Sequence, residues 1–578
     1  MFFFIDIFKK ILLIVDKRFI NTLPLIMLFL ISGVIDIVSL GLVAPIIVII
    51  TNPESPLIVS LTAYLNPYIG EFSYNKYLYF LSFSLVAMFI IKNIISIITK
   101  WLITRFAYKQ FAILQTKITS LYQNMDYLEF IKRQKTVYIR NINELCKACI
   151  DALEKTLLTI SDLIVLIIIL IYLFTVDYSS LIILFLVILS IYTLSVLLFR
   201  PLSIKYGQNT NQAIKNIYKN ISETINGFKE IKVIKKQNFF LKNLRKSAHE
   251  VFKNKTKNTL FSSMPKHLLE IGLIIFIVSY LLINIYSNTE TEKYLSTLSV
   301  FAVAGLRLMP TANSIASNML NLGFFKPSVE IIFSDIHSLK QLQEKNLNDQ
   351  KQTNFQSLEL KDISFKYPAS DKFVLKNLNL LIKSNDCIGI IGPSGSGKTT
   401  LIDILLGLIK PTGGAVKING KEIIKSKYNF TAYLTQNPSI LERSIVENIS
   451  LENEKSKIDY KKLNESINNA DLNGFVQSLK EGYDTLIGEN GIRLSGGQEQ
   501  RLALARSFYH SKDIIILDEA TSALDENTEN TIVERINKFK GKKTIIVITH
   551  SKNTLRYVDK IFSLDNKTLK EKKLDKEV

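Results

Sequence analysis

The stretch Gly392-Pro393-Ser394-Gly395-Ser396-Gly397-Lys398-Thr399 constrains the fold more than any other, because it fits G-x-x-x-x-G-K-[ST] between two contrasting segments. The apolar run Cys387-Ile388-Gly389-Ile390-Ile391 before it predicts a buried strand, and Thr400–Leu406 after it predicts a helix. Strand, glycine-rich loop and helix in that order make a phosphate cradle. Glycines let successive backbone N–H groups turn toward one anionic centre, and the helix N-terminus adds partial positive charge. Lys398 suits the β- and γ-phosphates, the Thr399 hydroxyl suits Mg²⁺, and Thr400 extends the cradle into the helix. The loop therefore predicts a binding site for a nucleoside triphosphate.

At 578 residues the chain exceeds what one hydrophobic core supports, so more than one domain is expected. The long apolar runs lie almost entirely before residue 325. They predict six spans, at about 20–50, 77–104, 157–176, 180–200, 264–287 and 295–322, each long enough to cross a bilayer. The net charge of +20 raises the question of nucleic acid, but its placement argues against that partner. Residues 201–260 hold 13 Lys/Arg against three acids, and residues 101–150 hold eight against three. The intervening loops 51–77 and 287–294 contain only Lys76 and Lys293 as basic residues. This is the positive-inside pattern of a membrane protein with a cytoplasmic start, and six spans return the chain to the cytoplasm.

The first 18 residues are amphipathic and predict a helix along the membrane surface, with no cleavable signal peptide. Residues 53–67, with three prolines and several apolar residues, read equally as a short surface helix or an ordinary loop. The cytoplasmic segments 105–155 and 203–262 keep helical periodicity, so membrane helices are expected to continue into the cytoplasm and turn back there. Tyr127–Ile139 and Gly227–Phe240 are the candidate turns, where a short helix can touch another domain. Cys146 and Cys149 form a C-x-x-C without a thioredoxin-like context and read as reduced structural thiols, and Cys387 as strand filler. Asp36, Lys92 and Arg307 fall inside spans, where charge is costly. Arg307 heads a polar stripe with Thr311, Ser314 and Asn318 at helical spacing, which either packs on polar groups or lines a wet path.

Beyond a polar, Gln/Asn/Lys-rich linker, the second half reads as α/β. The alternating segment Leu358–Pro368 is a strand carrying Tyr367, an aromatic able to stack on a base. Ile514–Leu517 predicts a buried parallel strand ending in Asp518 and Glu519, where α/β sheets bind ligands. Asp518 suits Mg²⁺ through water, and Glu519 suits the general base for an attacking water. Thr544–Thr549 predicts another strand of the same sheet, ending at His550, which is placed to contact the γ-phosphate. Leu494-Ser495-Gly496-Gly497-Gln498 opens a helix and forms a second phosphate-facing cradle. One nucleotide site rarely needs two cradles, whereas two chains each lending one to the other would use both.

The loop 392–399, Gln436, the Leu494–Gln498 motif, Ile514–Glu519, Ser522-Ala523-Leu524-Asp525 and His550, in this order, resemble the full motif set of ABC-transporter ATPases. The resemblance covers residues 356–578 and implies ATP and Mg²⁺ as cofactors. It implies Tyr367 on adenine; Gln436 on Mg²⁺ and as a catalytic residue with Glu519, His550 and Lys398; and Ser495, Gly496, Gly497 and Gln498 on the nucleotide of a second copy in a homodimer. It also implies that Glu489-Asn490-Gly491 meets the membrane domain. Membrane half first, fused to one ATPase half, resembles the half-transporter exporters, and the roughly 20 residues before the first span leave no room for a leader protease. The expected fold is an all-α six-span transmembrane domain with cytoplasmic helical extensions (1–345), a linker (346–355) and an α/β P-loop ABC ATPase domain (356–578).

The whole chain is also similar to the PglK-type lipid-linked-oligosaccharide flippases, in its spans and its Leu306-Arg307-Leu308-Met309-Pro310 stretch. That resemblance implies ATP-driven flipping of a polyprenyl-pyrophosphate glycan across a bacterial inner membrane, with Arg307 on the pyrophosphate. A broad exporter of amphipathic drugs, lipids or peptides is the alternative.

Overall fold

The computed structural model describes residues 2–15, 23–42, 74–286, 291–345, 355–368, 370–423, 431–488, 491–510, 512–520 and 525–572. The stretch at 53–67, residues 346–354 of the linker, Glu489-Asn490 and Ser522-Ala523-Leu524 lie outside them. Two compact units are present. One comprises Met1–Met125 and Phe130–Lys345; the other comprises Asn346–Val578 together with Asp126–Glu129.

The first unit is helical. Its long helices are Leu23–Gly41, Tyr74–Gln123, Cys146–Val176, Tyr178–Asn226, Gln237–Tyr286 and Thr291–Lys345. Four described helical stretches are long and apolar enough to cross a membrane: Leu78–Gln123, Lys135–Val176, Tyr178–Asn226 and Gln237–Tyr286. Pro24–Ser39 is a shorter apolar helix, and the sixth expected span lies within Thr291–Lys345. The helices run well past their apolar portions, as the periodicity of the charged segments predicts. Tyr178–Asn226 starts where the Asp177 carboxylate caps the backbone N–H groups of Ser179 and Ser180, and stops at Gly227. Short helices Tyr127–Ile131, Lys135–Arg140 and Phe228–Ile234 occupy the two expected turns.

The N-terminal helix packs one face on the bundle. Phe2–Ile14 buries Ile7, Ile11 and Ile14 in one cluster with Ile103, Ile118, Leu322 and Val329 of the bundle. Three isoleucines at i, i+4 and i+7 form an apolar stripe, each contributing about 1.5–3 kcal/mol by burial. That stripe finds protein rather than lipid. Close packing has its own residue requirement elsewhere: a Cβ on Gly207 would lie 2.1 Å from the Phe324 carbonyl oxygen, so only glycine lets these two helices cross there. Both Cys146 and Cys149 are buried, and burial pushes the Cys146 thiol up to about 12. They are inert packing groups.

Helix Thr291–Lys345 carries a buried carboxylate, Asp335, outside the expected spans. The Tyr122 hydroxyl donates to it at 2.6 Å, Arg133 donates to both its oxygens at 3.0 and 2.9 Å, and Asn141 donates at 3.2 Å. Arg140 in turn donates to the Asn141 side-chain oxygen at 2.7 Å. Burial, then Asp335, raises the Tyr122 phenol, which stays a donor. Asn141 opens a π-helical turn, Asn141–Leu145, the kind of irregularity that re-aims side chains inside a helix. Asp335→Ala removes the shared acceptor and leaves Tyr122 and Asn141 buried without it, a loss of about 1–3 kcal/mol per group. The detergent-solubilised variant is expected to melt several degrees below wild type, and further below it than Tyr122→Phe; equal melting of the two variants would contradict a shared acceptor.

The second unit has two main sheets. An antiparallel sheet, order β2-β1-β4-β5, comprises β1 (Ser357–Phe365), β2 (Leu375–Lys383), β4 (Gly413–Ile418) and β5 (Lys421–Glu422). A six-stranded sheet, order β12-β11-β3-β10-β9-β6, comprises β3 (Cys387–Ile391), β6 (Thr431–Leu434), β9 (Ile514–Asp518), β10 (Thr544–Ile548), β11 (Lys560–Asp565) and β12 (Thr568–Lys572). The short strands β7 (Arg443–Ser444) and β8 (Leu486–Ile487) pair separately. The central strands are parallel and mostly apolar because both faces are covered. Ile515, Leu517, Ile545 and Val547 point into a cluster with Leu502 and Ala505. Ile514, Ile516, Ile546 and Ile548 point into another with Leu401, Ile402 and the residues of the antiparallel sheet.

Candidate active site

Register assembles the site. Ile390 of β3 pairs with Ile548 of β10, and Ile548 pairs with Asp518 of β9. Leu517 of β9 pairs with Leu434 of β6. The C-terminal ends of four adjacent strands therefore share one edge, and each runs directly into predicted site residues. Strand β3 leads to Gly392, β10 to His550, β9 to Glu519 and β6 to Gln436.

Along the loop, Gly395 and Gly397 take left-handed backbone with φ of +79° and +105°. A Cβ on Gly392 would lie 2.4 Å from the Leu564 carbonyl oxygen, so that position admits no side chain. Helix Lys398–Leu405 begins at Gly397 with no side-chain cap, which leaves its first N–H groups open to an anion. Pro393, Ser394, Gly395 and Thr399 are exposed, and the Ser396 hydroxyl oxygen is buried without a hydrogen-bond partner. An orphan hydroxyl in a cradle of open N–H groups fits a bound phosphate. Lys398 folds back on its own loop, donating to the Gly392 carbonyl and, at 3.1 Å, to that of Pro393, with His550 Nε2 at 3.5 Å.

The carboxylates sit opposite. Gln436 Nε2 donates to Glu519, whose backbone is left-handed at φ +49° and whose N–H donates to the Ile548 carbonyl at 2.8 Å. A non-glycine residue in that region is held there at a cost of about 1–3 kcal/mol, of the kind stored at functional sites. The Tyr433 hydroxyl donates to Asp518 Oδ2 at 3.2 Å. Burial, then the charge of Glu519, raises the Asp518 carboxyl, while Tyr433 and Lys398 pull it down. Tyr367 lies edge-on to Phe365, and its hydroxyl is 3.1 Å from Thr400 Oγ1 on the helix that follows the loop.

The second cradle is a helix start as well. Ser495 and Gln498 form a reciprocal capping box on helix Gly496–Tyr509, with Ser495 N to Gln498 Oε1 at 2.9 Å and Gln498 N to Ser495 Oγ at 3.3 Å. Ser495 and Gly496 are exposed, and Gly497 and Gln498 half-buried.

Residues 375–522 match the family model described as ABC transporter. The chain carries an ABC transporter ATPase domain. It is 34% identical over 302 residues to ABC transporter B family member 29, chloroplastic, of Arabidopsis thaliana, covering 48% of this chain and 48% of that protein. It is 36% identical over 225 residues to the alpha-hemolysin translocation ATP-binding protein HlyB of Escherichia coli O157:H7, covering 38% and 32%. The chain thus spans about half, or less, of the curated relatives it matches. Along its whole length it shares the fold of a bacterial Atm1-family ABC exporter solved with ATP bound, with TM-score 0.75, 16% identity, and 96% and 95% coverage.

In the helical unit, Arg307 has a protein partner. Its Nη2 donates to Asp36 Oδ2 at 2.6 Å, and Lys92 Nζ lies 2.8 Å from Asp36 Oδ1. Asp36 is fully buried and Lys92 nearly so, whereas the Arg307 side chain keeps 28% of its surface and its Nε has no partner. At Arg307 the polar stripe packs on a polar group, a carboxylate 271 residues away in sequence. The sequence reading also passed over Asp162, which hydrogen-bonds Ser314 of the polar stripe and lies near Arg307. It passed over Tyr433 and Asp403 beneath the loop as well. One carboxylate inside an apolar run is a readable signal, which Asp162 offered; Tyr433 offered none until strand order was known.

Asp403, on the helix after the loop, is buried, and burial with the nearby Asp518 pushes its carboxyl up to about 6. A folded pKa above the unfolded value of about 3.9 means that the folded chain holds the extra proton, so this residue lowers stability as pH rises between those values. Asp403→Asn is expected to stabilise the nucleotide-free protein at pH 8 by on the order of 1–2 kcal/mol, read as a higher melting temperature, and the gain is expected to fade toward pH 4. A gain of equal size at both pH values would show that charge is not its origin.

Proposed function

We propose that this chain is an ATP-driven exporter working as a homodimer in a bacterial inner membrane, with the ATPase half in the cytoplasm. The observation that carries this reading is the union, in one chain, of membrane-length apolar helices and an ABC ATPase domain whose four strand ends converge on one edge. In this reading the loop from Gly392 to Thr400 holds the triphosphate, with Lys398 leaving its loop carbonyls for the β- and γ-phosphates. Tyr367 stacks on the base. Thr399, Asp518 and Gln436 would hold Mg²⁺, which supplies charge neutralisation at the phosphates when bound. Glu519 takes the proton of the attacking water and His550 faces the γ-phosphate. Ser495, Gly496, Gly497 and Gln498 serve the partner copy's nucleotide. The exposure of Ser495 and Gly496 supports that role.

Glu519→Gln keeps the strand geometry and the Mg²⁺ ligands while removing the base. ATP binding is expected to persist, turnover to fall by at least about 100-fold, and a nucleotide-bound dimer to accumulate in size-exclusion chromatography. Near-normal turnover in that variant would refute the role of Glu519.

For the substrate we put forward a polyprenyl-pyrophosphate-linked oligosaccharide, with Arg307 on the diphosphate. Asp36 occupies one edge of that guanidinium, and the exposed remainder suits paired hydrogen bonds to a phosphate. Arg307→Ala still leaves Asp36 paired with Lys92, whereas Asp36→Ala strands two cations, so the second variant is expected to be the less stable. In proteoliposomes, Arg307→Ala is expected to retain basal ATPase and lose translocation of a lipid-pyrophosphate glycan. Normal flipping by a stable Arg307→Ala variant would exclude the headgroup role and favour the broad exporter of amphipathic drugs, lipids or peptides.

A further inference from the structure

Tyr433 lies on β6, three residues before Gln436, and its partner strand β9 ends in Asp518. Because the two strands are parallel and in register at Leu434 and Leu517, the tyrosine hydroxyl comes within 3.2 Å of Asp518 Oδ2. Its ring packs at the edge of the cluster that holds Leu401 and Ile516, so its position is fixed by the core beneath the loop. Its carbonyl accepts from the Ser507 hydroxyl at 3.4 Å, on the helix that begins at the Ser495 cradle. The phenol's surroundings are acidic: Asp518 and Asp403 both face it, together with Tyr127. Beside two carboxylates and half-buried, the phenol keeps its proton and acts as a donor.

We propose that Tyr433 is a positioning residue for the Mg²⁺ site: by donating to Oδ2 of Asp518 it fixes the carboxylate so that the other oxygen serves the metal. This rests on the proposed role of Asp518 as a metal ligand. A carboxylate held by a second group presents a fixed orientation and loses less freedom on binding. A free one would rotate, or turn toward Lys398. The ordinary reading, a core tyrosine whose hydroxyl happens to reach a neighbour, predicts no effect on metal affinity. Tyr433→Phe separates the two, since it keeps the ring and its packing and deletes only the donor.

The experiment uses the full-length, detergent-solubilised chain with a non-hydrolysable ATP analogue and Mn²⁺ as the metal probe. Bound Mn²⁺ is read by electron paramagnetic resonance, and analogue binding is measured separately without metal. Tyr433→Phe is expected to weaken Mn²⁺ by about 3- to 10-fold, below the usual loss for an outer-shell partner because Asp518 acts through water. Metal-free analogue binding is expected to change less than twofold. Mn²⁺ affinity within twofold of wild type, alongside its loss in Asp518→Asn, overturns the role of Tyr433 alone. An unchanged Mn²⁺ affinity in Asp518→Asn overturns the ligand role of Asp518, and this proposal with it. Equal weakening of metal-bound and metal-free analogue by Tyr433→Phe would mean a packing defect and also overturns it.

Discussion

Parallel pairing among β6, β9, β10 and β3 is the constraint on which the nucleotide-binding half depends. These strands are mostly apolar on both faces, and the alternation of Ile514, Ile515, Ile516 and Leu517 between two clusters opposes any slip. A one-residue shift would exchange every side chain between those clusters. With register fixed, Gly392, Gln436, Glu519 and His550 follow their strands at one edge. Polar groups gather there because the strands end there, and the apolar interior behind them needs none.

That edge already satisfies itself. Lys398 spends donors on loop carbonyls, Gln436 engages Glu519, and Tyr433 engages Asp518. The loop itself is left open: the Ser396 hydroxyl is buried and unpartnered, and the first N–H groups of helix Lys398–Leu405 have no side-chain cap. A binding event here must exchange internal hydrogen bonds for bonds to a ligand, so its net gain is smaller than the contacts suggest. The left-handed backbone at Glu519 works in the other direction. Its strain is built into the fold, so orientation of that side chain adds no further cost when a ligand arrives.

The legible parts of the sequence were contiguous ones. The loop 392–399 declared itself because strand, glycines, lysine and helix are consecutive, and Ile514–Glu519 did so because four apolar residues abut two acids. The long helices were legible from periodicity, and their cytoplasmic extensions from the charges along them. What escaped depends on distance along the chain. Tyr122 and Asp335 are separated by 213 residues, and Tyr433 and Asp518 by 85. No spacing rule links such pairs; only helix packing or strand order does. The stripe Ile7, Ile11, Ile14 shows a second limit, since an apolar helix face has the same pattern whether lipid or protein covers it.

The two buried carboxylates of the helical unit follow from its charge. Basic residues outnumber acids throughout its charged segments, so an acid that enters the interior is shared. Asp36 serves Lys92 and Arg307; Asp335 serves Arg133 and, through Asn141, stands one bond from Arg140. Sharing makes these clusters asymmetric. Removing a cation leaves the acid with another partner, whereas removing the acid leaves a buried cation, Lys92 or Arg140, without its counter-charge, the costlier outcome. The acids are therefore the joints of the bundle: Asp36 ties three helices within the apolar region, and Asp335 ties the end of the Tyr74–Gln123 helix and the Phe130–Asn141 turn to helix Thr291–Lys345.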